Sequence, residues 1–247
     1  MDQAIAALSF KGVGKTYRRS HLGRTYLSRG VEGLDLDIAR GEAFGLLGLN
    51  GSGKTTTFKL ALGLLRPTMG EVSTLGLPPF SPQALSRVGF LPELPYFYPF
   101  LTPEESLIFY GRLSGLDPAG LKRRVAEALE LVGLSSHSRR RIAELSKGTV
   151  QRLGLAQAVI HDPELIILDE PVSGLDPLAI RDFRDMLQRL SDRGKTLVIS
   201  SHSISELEKL CHRVGILKDG RLARLLTQQD WRSAPGGLED LFVETVK

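Results

Sequence analysis

The chain has 247 residues, 42% of them hydrophobic and 24% charged, which is enough for one large domain or two small ones around a sizeable core. No run approaches the roughly 20 apolar residues of a membrane span, and Asp2 and Gln3 before a short Ala-rich run lack the basic opening of a signal peptide. Thirty-two Lys and Arg against twenty-eight Asp and Glu leave +4, too diffuse to indicate nucleic acid, and the single Cys211 excludes an intramolecular disulfide and reads as a packing residue in a reducing compartment.

In chain order, residues 7–13 read as a strand, and Leu34-Asp35-Leu36-Asp37-Ile38 alternates apolar with acidic residues as a half-buried strand does. Together they predict an antiparallel layer. The stretch between them carries Lys15, Arg18, Arg19, His21, Arg24 and Arg29 with Tyr17 and Tyr26 interleaved, and reads as a solvated loop rather than a nucleic-acid surface. Tyr17, just after a strand, could stack on a base.

The apolar run Ala43-Phe44-Gly45-Leu46-Leu47 leads into Gly48-Leu49-Asn50-Gly51-Ser52-Gly53-Lys54-Thr55, which matches every fixed position of G-x-x-x-x-G-K-[ST]. Strand, phosphate loop and helix follow one another. The glycines let successive backbone N–H groups turn inward, and the helix adds its positive end to the same anion pocket. Lys54 would reach the β and γ phosphates and the Thr55 hydroxyl would ligate the accompanying Mg²⁺. The helix is predicted to run to Leu65 and stop near Arg66-Pro67, with a second antiparallel strand at Gly70-Glu71-Val72.

Val88-Gly89-Phe90-Leu91 reads as a buried strand. In residues 92–101 prolines prevent regular structure and Tyr96, Phe97, Tyr98 and Phe100 crowd together, either to meet a partner or to fill the core. Thr102-Pro103 opens a helix, and Leu121, Val125, Ala128, Leu129 and Val132 mark an amphipathic one ended by Gly133. Leu165-Ile166-Ile167-Leu168 has the continuous apolar character of a parallel strand and ends in Asp169-Glu170. Those carboxylates lie 169 − 54 = 115 residues after Lys54, far beyond the roughly 30 of one βαβ unit, so a helical subdomain is expected at about 94–160. Asp169 is assigned to the metal and Glu170 to the attacking water.

Asp176 with Pro177 then starts a helix that lasts to Gly194, and a strand at 196–200 delivers His202 to the sheet edge where open α/β folds gather ligands. Lys218-Asp219-Gly220 between apolar runs signals a hairpin, and residues 238–242 a short docking helix.

This ordered set of motifs resembles the ATP-binding subunit of ATP-binding cassette (ABC) transporters along nearly the whole chain. The resemblance implies an α/β fold: a P-loop NTPase (RecA-like) core with an antiparallel β subdomain and an inserted helical subdomain, all within one nucleotide-binding domain, 1–247. It places Tyr17 as the adenine-stacking aromatic, Gly48, Asn50, Gly51, Ser52, Gly53, Lys54, Thr55 and Thr56 in the phosphate loop, and His202 as the γ-phosphate sensor. Ser173-Gly174-Leu175-Asp176 looks like the loop that touches a partner subunit. Leu145-Ser146-Lys147-Gly148-Thr149 stands where Leu-Ser-Gly-Gly-Gln is usual, keeping Ser146 and Gly148 as nucleotide contacts, and Glu93 replaces the glutamine that approaches Mg²⁺.

The mechanism so implied is a pair of cassettes, homodimeric or heterodimeric, closing on two ATP molecules with Mg²⁺, each held between one subunit's phosphate loop and the other's Ser146 region. An integral membrane permease would dock near Glu93 and the rings of 95–100, leaving the chain peripheral on the cytoplasmic side of the membrane. Leu101-Thr102-Pro103-Glu104 looks like the exporter branch. The alternatives are a soluble cassette ATPase of iron–sulfur assembly or DNA repair, and a small-molecule kinase or switch GTPase, which would leave Ser146 and His202 without a role.

Overall fold

Alternating burial builds the first layer. In the computed structural model, which describes residues 5–21 and 24–247 and so leaves Asp2 and Gln3 outside the described residues, Leu34, Leu36 and Ile38 are buried while Asp35 and Asp37 face solvent. Strands β1 (Leu8–His21) and β2 (Arg24–Ile38) pair antiparallel from Leu8↔Ile38 to His21↔Arg24. The basic stretch is therefore a two-stranded ribbon, and the solvated-loop expectation is overturned. Thr16, Tyr17, Thr25, Tyr26 and Val31 are strand-favouring residues, and pairing satisfies backbone groups while exposed side chains such as Arg18, Tyr26 and Leu27 stand off the ribbon. The side chains of Arg19, His21 and Arg24 lie outside the described ones.

Strand β3 (Ala43–Gly48), buried throughout, leads through the glycine-rich loop into α1 (Lys54–Ala61). The helix ends there and does not continue to Leu65. Gly63 turns the chain at φ +67, and a Cβ at that position would stand 2.7 Å from the backbone of Phe80, so only glycine closes this corner. Strand β4 (Met69–Thr74) then pairs antiparallel with β1, giving a three-stranded sheet in the order β2-β1-β4.

After α2 (Pro82–Leu85), strand β5 (Val88–Leu91) enters a second sheet, and α3 (Pro103–Leu113), α4 (Pro118–Leu131) and α5 (Lys147–Val159) follow before β6 (Leu165–Asp169). Thr102 and Glu105 cap α3 reciprocally, and α4 buries Leu121, Val125, Ala128 and Leu129 as its periodicity requires. The sheet is completed by β7 (Thr196–Ser201) after α6 (Pro177–Asp192), then, after α7 (Ile204–Leu210), by β8 (Arg213–Lys218) and β9 (Arg221–Thr227). Its order is β5-β6-β7-β3-β8-β9, parallel except for the last hairpin. Asp219 and Gly220 turn that hairpin at φ +51 and +81, the left-handed pair that a two-residue turn needs.

Helices α8 (Gln228–Ser233) and α9 (Gly237–Val246) close the chain, the latter longer than the expected 238–242 and burying Leu238 and Leu241. One core lies between the two sheets around Phe10, Leu34, Phe44, Phe58 and Ile167, and the other joins the opposite face of the large sheet to the remaining helices. Full burial of one such side chain contributes about 1.5–3 kcal/mol, so α1, held by Phe58 and Leu60, is fixed under the phosphate loop. Cys211 is fully buried, and burial pushes its thiol up, as a packing residue requires.

The four rings of 92–101 divide. Phe97 is buried edge-on against Tyr110 at 5.9 Å, whereas Tyr96, Tyr98 and Phe100 stay exposed and extend through Tyr98 to the half-open ring of Phe109.

Candidate functional site

The carboxyl ends of β3, β6 and β7 lie side by side, because β7 pairs with both of the others. That geometry brings the loop after Gly48, the pair Asp169-Glu170 and His202 to one edge, where they line a cavity of about 760 Å³. Tyr17, Gly48, Asn50, Gly51, Ser52, Gly53, Lys54, Thr55, Thr56, Glu93, Asp169, Glu170 and His202 all face it. Ser146 and Gly148 do not. They line a separate cavity of about 390 Å³ with Lys147, Thr149, Gly174 and Asp176.

The loop is built for an anion. Gly53 is the N-cap of α1 and offers no side-chain cap, and the first turn holds no acidic residue, so the first-turn N–H groups and the positive helix end are left for a guest. Ser52 Oγ is buried with no hydrogen-bond partner among the described residues. Lys54, itself buried, donates from Nζ to the Gly48 carbonyl at 2.6 Å and stands 3.7 Å from Glu170 Oε1.

Glu170 is held from several sides. Its backbone takes φ +47, a strained conformation for a residue with a side chain, and its N–H donates to Ser200 Oγ at 3.0 Å. The same Ser200 hydroxyl donates to Asp169 Oδ1 at 2.6 Å, so one side chain at the end of β7 holds the Asp169 carboxylate and the Glu170 backbone. Glu170 Oε2 accepts from the His202 backbone N–H at 3.2 Å and lies 2.7 Å from His202 Nδ1. Glu170 is almost fully buried and His202 stands at the mouth, 64% exposed, so the pair joins the interior to the opening.

Thr55 Oγ1 donates to Asp169 Oδ2 at 3.4 Å. A hydroxyl and a carboxylate oxygen at this spacing, with Glu93 in the same lining, are a hard oxygen donor set, and they fit Mg²⁺ arriving with a polyphosphate. At the outer end, Tyr17 Oη and Thr56 Oγ1 lie 3.1 Å apart and the Lys15 ammonium sits 5.8 Å above the ring.

Sequence reasoning missed Ser200, Ser28, Arg29, Gly30 and Phe242, which position or line this cavity. Ser200 had a signal, a polar residue closing an apolar strand. Phe242, on α9, had none. A wider groove of about 1000 Å³ runs past Asp37, Arg40, Glu42 and Arg213, but it lies at the amino ends of β3 and β8, and Arg213 is already tied to Glu42 at 2.7 Å.

Residues 31–173 match the family model described as ABC transporter. The Nod factor export ATP-binding protein I of Paraburkholderia xenovorans is 38% identical over 218 residues, 87% of this chain and 69% of that protein. Other curated relatives at 40 to 45% identity are longer, and the chain spans 58 to 63% of their length. Among solved structures, an ATP-binding subunit of an ABC transporter superposes with a TM-score of 0.83 at 30% identity, covering 98% of this chain and all of that one. The dimeric post-hydrolysis state of the cassette MJ0796 bound to ADP and Pi gives 0.79 at 25% identity over 90% of this chain and 98% of that one.

Proposed function

Because the chain belongs to the ABC transporter family of ATP-binding proteins, we propose that it binds and hydrolyses ATP as one of a pair of cassettes and so drives a separate membrane permease that exports its cargo. The observation that carries this reading is the buried Glu170, 3.7 Å from the phosphate-loop Lys54 and 2.7 Å from His202. In the hydrolytic step Lys54 exchanges the Gly48 carbonyl for the β and γ phosphates, and Glu170 orients the attacking water and accepts its proton. His202, tied to Glu170, senses the γ-phosphate from the opening. Thr55 and Asp169, with Glu93 in the same lining, would hold Mg²⁺, which would supply positive charge to the phosphate oxygens.

The helices of about 94–160 form the subdomain that carries Ser146 and Gly148, which contact the nucleotide of the other cassette. Support comes from their position in a cavity apart from this chain's own phosphate loop, and from the dimeric cassette with ADP and Pi, which is similar in fold. The export reading draws support from the relative named for Nod factor export.

The exposed rings Tyr96, Tyr98, Phe100 and Phe109 form the docking patch for the permease, leaving the cassette peripheral on the cytoplasmic side of the membrane. A non-transport cassette would have no use for that patch. Pull-down from detergent-solubilised membranes tests this: wild type retains an integral membrane protein, and a variant with Tyr98→Asp and Phe100→Asp loses it while still binding ATP. Equal retention by both, or retention by neither, overturns the transport reading.

A further inference from the structure

Three glycines far apart in sequence meet between the sheet that carries Tyr17 and the loop that receives the phosphates. Gly30 lies on β2, Gly53 ends the phosphate loop and Gly220 turns the β8–β9 hairpin. A Cβ at Gly53 would stand 2.6 Å from the Gly30 carbonyl oxygen and 3.5 Å from Gly220 Cα, and one at Gly220 would stand 3.2 Å from that same oxygen. Two hydrogen bonds lock the junction: Glu32 N–H donates to the Gly220 carbonyl at 2.7 Å, and Gly220 N–H donates to the Ser52 carbonyl at 3.0 Å. The hairpin turn is thus bonded to β2 on one side and to the phosphate loop on the other.

Gly30 has a second neighbour. A Cβ there would stand 2.7 Å from Tyr17 Cε2 and 2.9 Å from Thr56 Cγ2, so the ring lies against bare backbone while its hydroxyl pairs with Thr56 at 3.1 Å. Gly30 does not adopt the left-handed backbone of Gly53 and Gly220. Its missing side chain serves the ring and not a turn.

We propose that Gly30 and the Gly220 turn are positioning residues for the nucleotide, setting the Tyr17 ring at a fixed distance from the phosphate loop so that base and phosphates are read together. They act through the placement of Tyr17 and the loop. The inference rests on Tyr17 stacking on the base.

Calorimetric titration of the purified chain with Mg²⁺-ATP and with Mg²⁺-tripolyphosphate tests both. Tyr17→Ala should weaken ATP binding by about tenfold or more, as loss of one base-stacking ring does, and leave tripolyphosphate unchanged. Gly30→Ala should shift ATP in the same direction, again sparing tripolyphosphate, and should add nothing in the Tyr17→Ala background. Unchanged ATP affinity in Tyr17→Ala overturns the stacking reading itself. A loss in Tyr17→Ala without one in Gly30→Ala, or an equal loss of both ligands in Gly30→Ala, overturns the positioning role alone. Should Gly30→Ala fail to fold, Tyr17→Phe keeps the ring and removes only the hydroxyl that pairs it with Thr56, and is expected to show a selective loss of ATP with tripolyphosphate spared; no selective loss there overturns the proposal.

Discussion

The phosphate loop and the start of α5 are both places where a helix begins at a polar turn, yet they are finished differently. Gly53 leaves the first turn of α1 without a side-chain cap, and Lys54 folds back on a carbonyl that a phosphate can replace. At α5 the N-cap Ser146 already accepts from Thr149 N–H at 3.3 Å, and the two hydroxyls lie 2.8 Å apart. The first site is left open to receive several phosphate oxygens at once. The second has its nearest donors satisfied locally, which fits the contact with the other cassette's nucleotide proposed for it. Binding and turnover should therefore separate by mutation.

The sharpest break of that contrast is Glu170→Gln, which should cost about 10²–10⁴-fold in turnover, the usual worth of a general base, while ATP affinity stays put in a binding titration. Undiminished hydrolysis would remove Glu170 from the chemistry. Next comes Lys54→Ala, expected to weaken ATP binding by roughly ten- to a hundredfold because a charge-assisted hydrogen bond is lost; an unaltered dissociation constant would reject its role.

Ser146→Ala should behave in the opposite way. Binding of ATP to the isolated chain is retained and steady-state hydrolysis falls, while loss of the N-cap lowers folding stability by about 1 kcal/mol in denaturant titration. If ATP binding to the isolated chain weakened as well, the two regions would not be independent.

The smallest effect lies beneath both regions, at His161, whose Nε2 is 3.1 Å from the Val88 carbonyl and whose buried Nδ1 has no partner among the described residues. Burial holds its pKa below the ordinary 6.5, against the opposing pull of that carbonyl. The unfolded chain therefore takes up the proton first, so folding stability should decline as pH falls below about 6.5 and level off once the folded form also protonates. Denaturant midpoints between pH 7.5 and 5.5 measure the slope, which His161→Gln should flatten. An unchanged slope would assign the acid sensitivity elsewhere.

How far the sequence reached differs from residue to residue. Asp169 and Glu170 were visible because an apolar strand ends in them, and Thr102, Asp176 and Gly133 because helix caps are written within a few residues of the turn they serve. The ribbon of β1 and β2 was misread because charge density looks the same in a solvated loop and in a strand whose outer side chains meet water; only pairing tells them apart. The early end of α1 escaped notice because its cause, the backbone of Phe80 pressed against Gly63, lies outside the helix.

What the sequence determined alone is the chemistry that neighbouring residues share: a glycine-rich loop running into a helix that starts at Lys54, a carboxylate pair at a strand end, a two-residue turn at Asp219-Gly220. Tertiary structure decided which of these meet. It set Tyr17 against Gly30 and Thr56, bound Ser200 to the Asp169 carboxylate and the Glu170 backbone, sent one ring of 92–101 inward and three outward, and kept Ser146 away from its own chain's phosphate loop. Local spacing fixes the angles of a turn or cap, whereas contacts across the sheets depend on packing that no short window of residues encodes.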